Sequence, residues 1–400
     1  MTPTPLRDEA LRVSLDIADR LADPRHVRDH TDPAIWRDLS LSAGYAGIAL
    51  LHAELTAHQP QWAPVLHRHL TAAGAAANDT ADGAYTGRGA LTTALTAARR
   101  ATNAYTTATA TAATAVARRA ATRAAQPPPN DLEFTDYDLV TGLAGLVTVL
   151  TPHPDHHNTA TDTTDALATL CLRDTPDPGW WVHHGPNPHT TPPPGGHGNL
   201  GLSHGAAGIL AALTRAAEAG ITNTRTEAAA DLLATWLLDH HRTDEHGTWW
   251  PMYVTDSDTT AERPAPSWCY GTPGIATALD GAGRWRRRPD WVDTATKAVD
   301  AALRAPTGPL DNGICHGHAG LAHVLWRLDP ERHADTIDAA ITTIVDAYDP
   351  DTAFGYRCHG DTGPFDHPGF LEGAAGTALV LHRYATGPAP RTHWDQILLL

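Results

Sequence analysis

"GICHGHAGLA", residues 313 to 322, sets a cysteine and two histidines around a Gly-x-x-Gly pair, Gly317 and Gly320, and then runs into apolar residues. The same frame returns through the chain. It reads "AGYAGIALL" at Gly44 and Gly47, "TGLAGLVTVL" at Gly142 and Gly145, and "HGAAGILAAL" at Gly205 and Gly208. It reads "YGTPGIATAL" at Gly271 and Gly274, and "EGAAGTALVL" at Gly373 and Gly376. A seventh copy, "YTGRGALTTAL", is degenerate, its second glycine falling one position early at Gly89. From first glycine to first glycine the steps are 43, 55, 63, 66, 46 and 56 residues, each long enough for two helices and a loop.

The segment after each glycine pair is built of small and apolar residues on nearly all sides, the signature of a buried helix. Between the copies lie stretches of helical period with one charged face. They are the N-terminal "LRDEALRVSLDIADRL", "PVLHRHLTAAGAAA" from Pro64, a Thr/Ala-rich run ending near Ala125, and "DTTDALATLCLRD" from Asp162. "TRTEAAADLLATWLLDHH" from Thr224, "PDWVDTATKAVDAALRA" from Pro289 and "DPERHADTIDAAITTIVDAY" from Asp329 complete the set. Seven buried helices alternating with seven half-exposed ones predict an all-α chain closed as an α/α toroid, an outer ring around an inner one. Glycine tolerates positive φ and close backbone approach, so each Gly-x-x-Gly is expected to open an inner helix where helix ends converge. No linker separates halves of different composition, so residues 1–400 are expected to form a single domain.

With 29 basic and 45 acidic residues the formal charge is −16. A nucleic-acid or anionic-membrane partner needs a basic footprint, which this balance argues against. The N-terminus lacks a signal peptide's basic and apolar regions, and no apolar run approaches the ~18 residues that span a bilayer. A soluble cytoplasmic protein is expected. Four cysteines, at 171, 269, 315 and 358, make no disulfide framework and are expected to bind metal, catalyse or lie buried.

The residues ahead of the first glycines are Ala43, Thr86, Thr141, His204, Tyr270, His316 and Glu372. Matching positions in a closed ring should face one cavity, which would gather His204, Tyr270 and His316, with Cys269 and Cys315 one residue upstream. Two thiolates and one imidazole suit Zn(II), and three protein ligands leave a fourth position open, as catalytic zinc sites do.

"DLVTGLAG", "NLGLSHGAAG", "SWCYGTPG", "CHGHAG" and "FLEGAAG", in that order, resemble the motifs of the LanC-type lanthipeptide cyclases, from about Gly44 to the C-terminus. The resemblance implies an α/α toroid with one zinc per chain, held by Cys269, Cys315 and His316. It implies His204 and Asp138 as acid/base residues and Tyr270 as the motif tyrosine. The implied reaction adds a peptide cysteine thiol to dehydroalanine or dehydrobutyrine and closes a thioether ring. Zinc deprotonates a thiol whose pKa is ordinarily ~8.5, and a histidine near neutral pKa suits protonation of the enolate at Cα. The implied partner is a dehydrated precursor peptide. A 400-residue chain has no room for a fused dehydrating domain, so a separate dehydratase is expected. A zinc thiol transferase using glutathione-like thiols, or a non-catalytic toroidal peptide-binding scaffold, would carry much the same residues.

One departure stands out. The family often carries an arginine four residues before the WCYG cysteine, where this chain has Ala265, and Arg263 lies two residues out of register. "RCHG" at Cys358 and His359 repeats Cys-His-Gly without the glycine-led helix, and reads as a rim loop. Cys171 reads as buried, and His183, His184, His189, His197, His240 and His241 as surface histidines. Asp138 could also simply cap the third inner helix. The aromatic loops around Trp180, Trp181, Trp249 and Trp250 could grip a peptide or plug gaps between helix ends.

Overall fold

The computed structural model describes residues 5–77, 83–186, 190–256, 262–360, 363–387 and 389–400. His189 lies outside them. The half-exposed helices are α1 (Pro5–Arg20), α4 (Ala63–Ala75), α6 (Thr106–Ala124), α9 (His157–Cys171), α11 (Thr224–Asp239), α13 (Pro289–Arg304) and α15 (Ala334–Asp346). The glycine-led helices are α3 (Tyr45–His58), α5 (Gly87–Thr102), α8 (Leu143–Leu150), α10 (Ala206–Glu218), α12 (Thr272–Arg286), α14 (His318–Leu328) and α16 (Ala374–Thr386). Two short helices, α2 (Pro24–Asp29) and α7 (Phe134–Tyr137), sit in connections. The alternation read from the sequence is therefore present, copy by copy. α3, α8, α10 and α16 are buried along almost their whole length. α5 and α12 depart from an all-round apolar surface, ending in basic turns at Arg99–Arg100 and at Arg284 and Arg286. Threonines inside the buried α5 give their hydroxyls to the carbonyl four residues back, Thr92 to Arg88 at 2.7 Å and Thr96 to Thr92 at 2.7 Å, so these hydroxyls are not stranded.

Contacts gather the chain into two compact units, Met1–Ala112 with Pro309–Leu398, and Ala113–Gly308 with Leu399–Leu400. In the first, α3 packs on α4, α5 and α16, while α16 also packs on α1 and α14. In the second, α10 packs on α8, α11 and α12, and α12 on α13.

The glycines owe their place mainly to close approach. A Cβ on Gly320 would lie 1.8 Å from the carbonyl oxygen of Ile314, six residues back. Gly47, Gly208, Gly274 and Gly376 sit in the same way over the carbonyls of Leu41, Leu202, Trp268 and Phe370. The expected positive φ appears in this set only at Gly87, in the degenerate copy, with φ 60°. The first glycines of the other copies are extended N-caps, so close approach is the constraint there.

Backbone hydrogen bonds join successive copies in one register. In the second unit the N–H of Leu139 donates to the carbonyl of Ser203, and that of Leu202 to Cys269. In the first unit Ile314 donates to Leu371, Phe370 to Ser42 and Leu41 to Tyr85. Each donor stands three residues before its first glycine, and each acceptor two before the next copy's. Because main-chain groups carry this ladder, the side chains around it can vary without loss of the frame.

Strands are few and short: β1 (Trp181–Val182), β2 (His197–Asn199), β3 (Arg242–Asp244), β4 (Gly247–Trp249), β5 (Tyr253–Val254), β6 (Arg357–Gly360) and β7 (Gly363–Asp366). β1, β2 and β5 form one antiparallel sheet, and β3–β4 and β6–β7 are hairpins. The tryptophans of these loops are core residues. Trp180, Trp181, Trp249 and Trp250 are all buried, and the Trp250 Nε1–H donates to Leu237 O at 2.7 Å. They plug the ends of helices rather than offer a gripping surface. Among the described residues, no helix is long and apolar enough to cross a membrane.

Candidate active site

In the second unit, Asp138 ends α7 and is almost completely buried. Its Oδ1 accepts from the backbone N–H groups of Thr141 and Gly142, both at 2.7 Å, and from the Thr141 hydroxyl at 3.1 Å. Three donors at the start of α8 thus fix the carboxylate, as a helix N-terminus favours negative charge. Its other oxygen, Oδ2, meets His204 Nδ1 at 2.5 Å. Asp138 therefore both caps the helix and holds an imidazole. His204 stands one residue before the N-cap of α10 and is half-buried. Phe134 stacks on its ring at 5.1 Å between centroids, and the Tyr270 ring lies 6.2 Å away. A carboxylate on Nδ1 fixes the tautomer and turns Nε2 outward for proton transfer.

Cys269 lies in the loop before α12, buried, its carbonyl accepting from the N–H groups of Leu202 and Ser203 at 2.7 and 3.3 Å. Two N–H groups on one carbonyl hold the cysteine's backbone rigidly beside the loop that carries His204.

The first unit carries the other repeat-borne cysteine and histidine. Cys315 N–H donates to Leu371 O at 2.8 Å, and His316 Nε2 lies 3.0 Å from Asp311 Oδ2. Asp311 is itself braced, accepting from Gly313 N–H at 2.8 Å through Oδ1 and from His318 N–H through its main-chain oxygen at 2.9 Å. Burial would raise its pKa, but the hydrogen bond and charge of His316, with the Gly313 amide, hold it below the usual carboxylate range. Sequence reasoning missed Asp311 and the Phe134 stack. The only trace of Asp311 was an acid four residues ahead of the CHG cysteine.

Cys358 lies in β6, its thiol donating to Glu372 O at 3.1 Å. Burial, with Asp311, Glu372 and Asp366 nearby, pushes this thiol up to about 12, which keeps it protonated. Cys171 is buried as expected. Arg263 forks onto Asp244, Nη2 to Oδ1 at 2.7 Å and Nε to Oδ2 at 3.1 Å, and reaches Gly247 O at 3.2 Å. It thereby pins the β3–β4 hairpin. His197 departs from its surface reading: it is fully buried in β2, and burial, then the charges of His184 and His183, drives its pKa to about 4.

Residues 35–399 match the family described as "Lanthionine synthetase C-like protein". The chain belongs to that family. It is also 26% identical over 212 residues to "Nisin biosynthesis protein NisC" of Lactococcus lactis subsp. lactis, a match covering 50% of this chain and 48% of that protein. The match thus spans about half the length of this curated relative. Among solved structures, "Nisin cyclase" superposes with a TM-score of 0.80 at 20% identity, covering 97% of this chain and 96% of that one. This likeness shows the fold, the α/α toroid expected from the seven-fold repeat. Family membership gives the Asp138–His204 pair and the two CHG and WCYG cysteines their context.

Proposed function

We propose that this chain is a zinc-dependent cyclase that forms lanthionine and methyllanthionine rings in a ribosomal precursor peptide dehydrated by a separate enzyme. The observation that carries the reading is the Asp138–His204 pair: a buried, helix-anchored carboxylate holding an imidazole beside a WCYG cysteine. A peptide-binding scaffold has no need of it.

The donor set fits zinc. Cys269, Cys315 and His316 would hold the ion, and Asp311 orients His316 as carboxylates orient metal-binding histidines. When bound, zinc supplies the Lewis acidity that keeps a substrate thiol ionised at neutral pH. His204 Nε2 then delivers the proton to Cα of the adduct. Asp138 holds the ring and stabilises its charged form, and Phe134 keeps the imidazole plane fixed. Tyr270 beside His204 is a second proton-bearing group at the same place. Arg263, committed to Asp244, takes no part, so no arginine is assigned to the place of Ala265.

The test uses a dehydrated cysteine-containing peptide, with remaining thiols counted by alkylation because cyclisation leaves the mass unchanged. Thiols should disappear without any added thiol, since both partners share one chain at effective concentrations reaching mM. Unchanged peptide thiols, with glutathione adducts forming only when glutathione is supplied, would make the chain a thiol transferase. Cys269→Ala and Cys315→Ala should each lose the zinc of this site, whereas Cys358→Ala should keep it. His204→Ala should retain zinc and fold but lose ~10²–10⁴-fold in ring closure.

A further inference from the structure

Three metal-ligating side chains meet elsewhere in the first unit. Glu54 and His58 stand one turn apart on α3, and His382 projects from α16; one ligand atom of each lies within 4.8 Å of the others. Glu54 and His382 are buried, and His58 lies between buried and exposed. We infer that Glu54, His58 and His382 form a second site for a divalent first-row metal ion, zinc by the chemistry of its donors, with the fourth position left to water.

Three observations carry this. Both ring nitrogens of His382 are buried without a hydrogen-bond partner, although its residue exposure is only 1%. A neutral imidazole has one donor and one acceptor to satisfy, and leaving both bare is costly in a core. Second, His58 Nε2 and Glu54 Oε1 are 3.3 Å apart. Two ligands of a tetrahedral ion with ~2.0–2.1 Å bonds stand about 3.3–3.4 Å apart, so this edge already has the right length. Third, the carboxylate has one lone pair to give. Oε2 accepts from both the N–H and hydroxyl of Thr392, at 2.9 and 2.6 Å, and Oε1 accepts from Arg391 N–H at 2.8 Å. The remaining lone pair of Oε1 is the one His58 faces.

The rings of His58 and His382 already meet edge to face, 4.7 Å between centroids. Two histidines and a glutamate are a known zinc donor set. The site would tie α3 to α16 and, through Glu54, to the terminal segment at Arg391 and Thr392. Nothing in this depends on the thiolate site proposed above.

Metal content of the purified full-length protein, after chelation and reloading with zinc alone, tests the inference. Wild type should hold two equivalents, and Cys269→Ala/Cys315→Ala should keep one. His382→Gln and His58→Gln should each lose one equivalent, with circular dichroism confirming the fold. Cobalt separates the two readings. The cysteine variant reloaded with Co(II) should show visible ligand-field bands without the intense near-ultraviolet charge transfer of a thiolate. A cysteine variant that binds no zinc or cobalt overturns the inference while leaving the cyclase reading intact. One equivalent in wild type and none in the cysteine variant has the same meaning. Charge transfer absent from wild type, with ligand-field bands retained, would instead remove the thiolate site and keep this one.

Discussion

Asp138 does two jobs with its two oxygens, and the jobs separate by substitution. In Asp138→Asn an amide replaces the oxygen facing His204 Nδ1, which disfavours the tautomer that leaves Nε2 able to carry the proton. Ring closure should fall by ~10²–10⁴-fold while the thermal midpoint moves little, because the remaining amide oxygen can still accept from Thr141 and Gly142. Thiol alkylation kinetics and a melting curve on the same sample check both halves; equal losses in stability and turnover would reduce Asp138 to a cap. His204 was legible from its place before a first glycine, and Asp138 through the resemblance carried by "DLVTGLAG". Asp311 and Phe134 were not, for their roles come from where loops fold back, and no period marks that. His197 was misread for a related reason. A histidine among prolines and glycines looks solvent-facing, yet β2 is the middle strand of its sheet and is buried throughout.

At the scale of elements, the glycine frame was the clearest signal in the chain, and of its two expected causes close approach is the one that acts in most copies. Steric room, more than φ, selects glycine, so the cost of replacing it can be ranked. Gly320→Ala forces a methyl to within 1.8 Å of a main-chain oxygen, whereas a Cβ at Gly308 meets nothing within 4 Å. Denaturant unfolding should show Gly320→Ala at or above the ~3 kcal/mol top of ordinary overpacking losses, and Gly308→Ala within about 0.5 kcal/mol of wild type. Arg263→Ala removes a forked, partly exposed ion pair and should lower the urea midpoint slightly with turnover unchanged. A fall in turnover without loss of stability would return Arg263 to the site. The start of α9 was less legible. It begins at His157, five residues before the periodic run from Asp162, because its first turns bury Ala160, Thr163 and Thr164 rather than large apolar residues. Threonine can be buried there because its hydroxyl bonds back, Thr164 to Ala160 O at 2.7 Å.

Across the whole molecule, buried neutral histidines set the acid limit. Burial takes His52, His197, His323 and His367 to about 4 and His69 to about 3, from an ordinary value near 6.5. The folded pKa is the lower one, so between about 6.5 and 4 the unfolded chain binds protons that the folded chain refuses. Stability is therefore complete above pH 6.5 and lost progressively as pH falls toward 4. Urea midpoints measured from pH 4 to 8 should rise to a plateau near 6.5, with proton uptake on unfolding well above one per molecule at pH 5.5. A flat profile down to pH 5 would contradict the burial of these rings.

The first compact unit is assembled from both ends of the chain, with residues 113–308 coming between its two pieces. On a ribosome adding ~5–20 residues per second, all of the second unit but Leu399 and Leu400 is synthesised before Pro309 appears. Helices α1 and α3 meanwhile wait for α16, which packs on both and arrives in the last thirty or so residues. The face of α1 that meets α16 stays bare for most of translation, while α3, already packed on α4 and α5, lacks only its α16 contact. A nascent chain stalled near residue 308 should thus present one protease-resistant body trailing a sticky N-terminal third, an open invitation to chaperones.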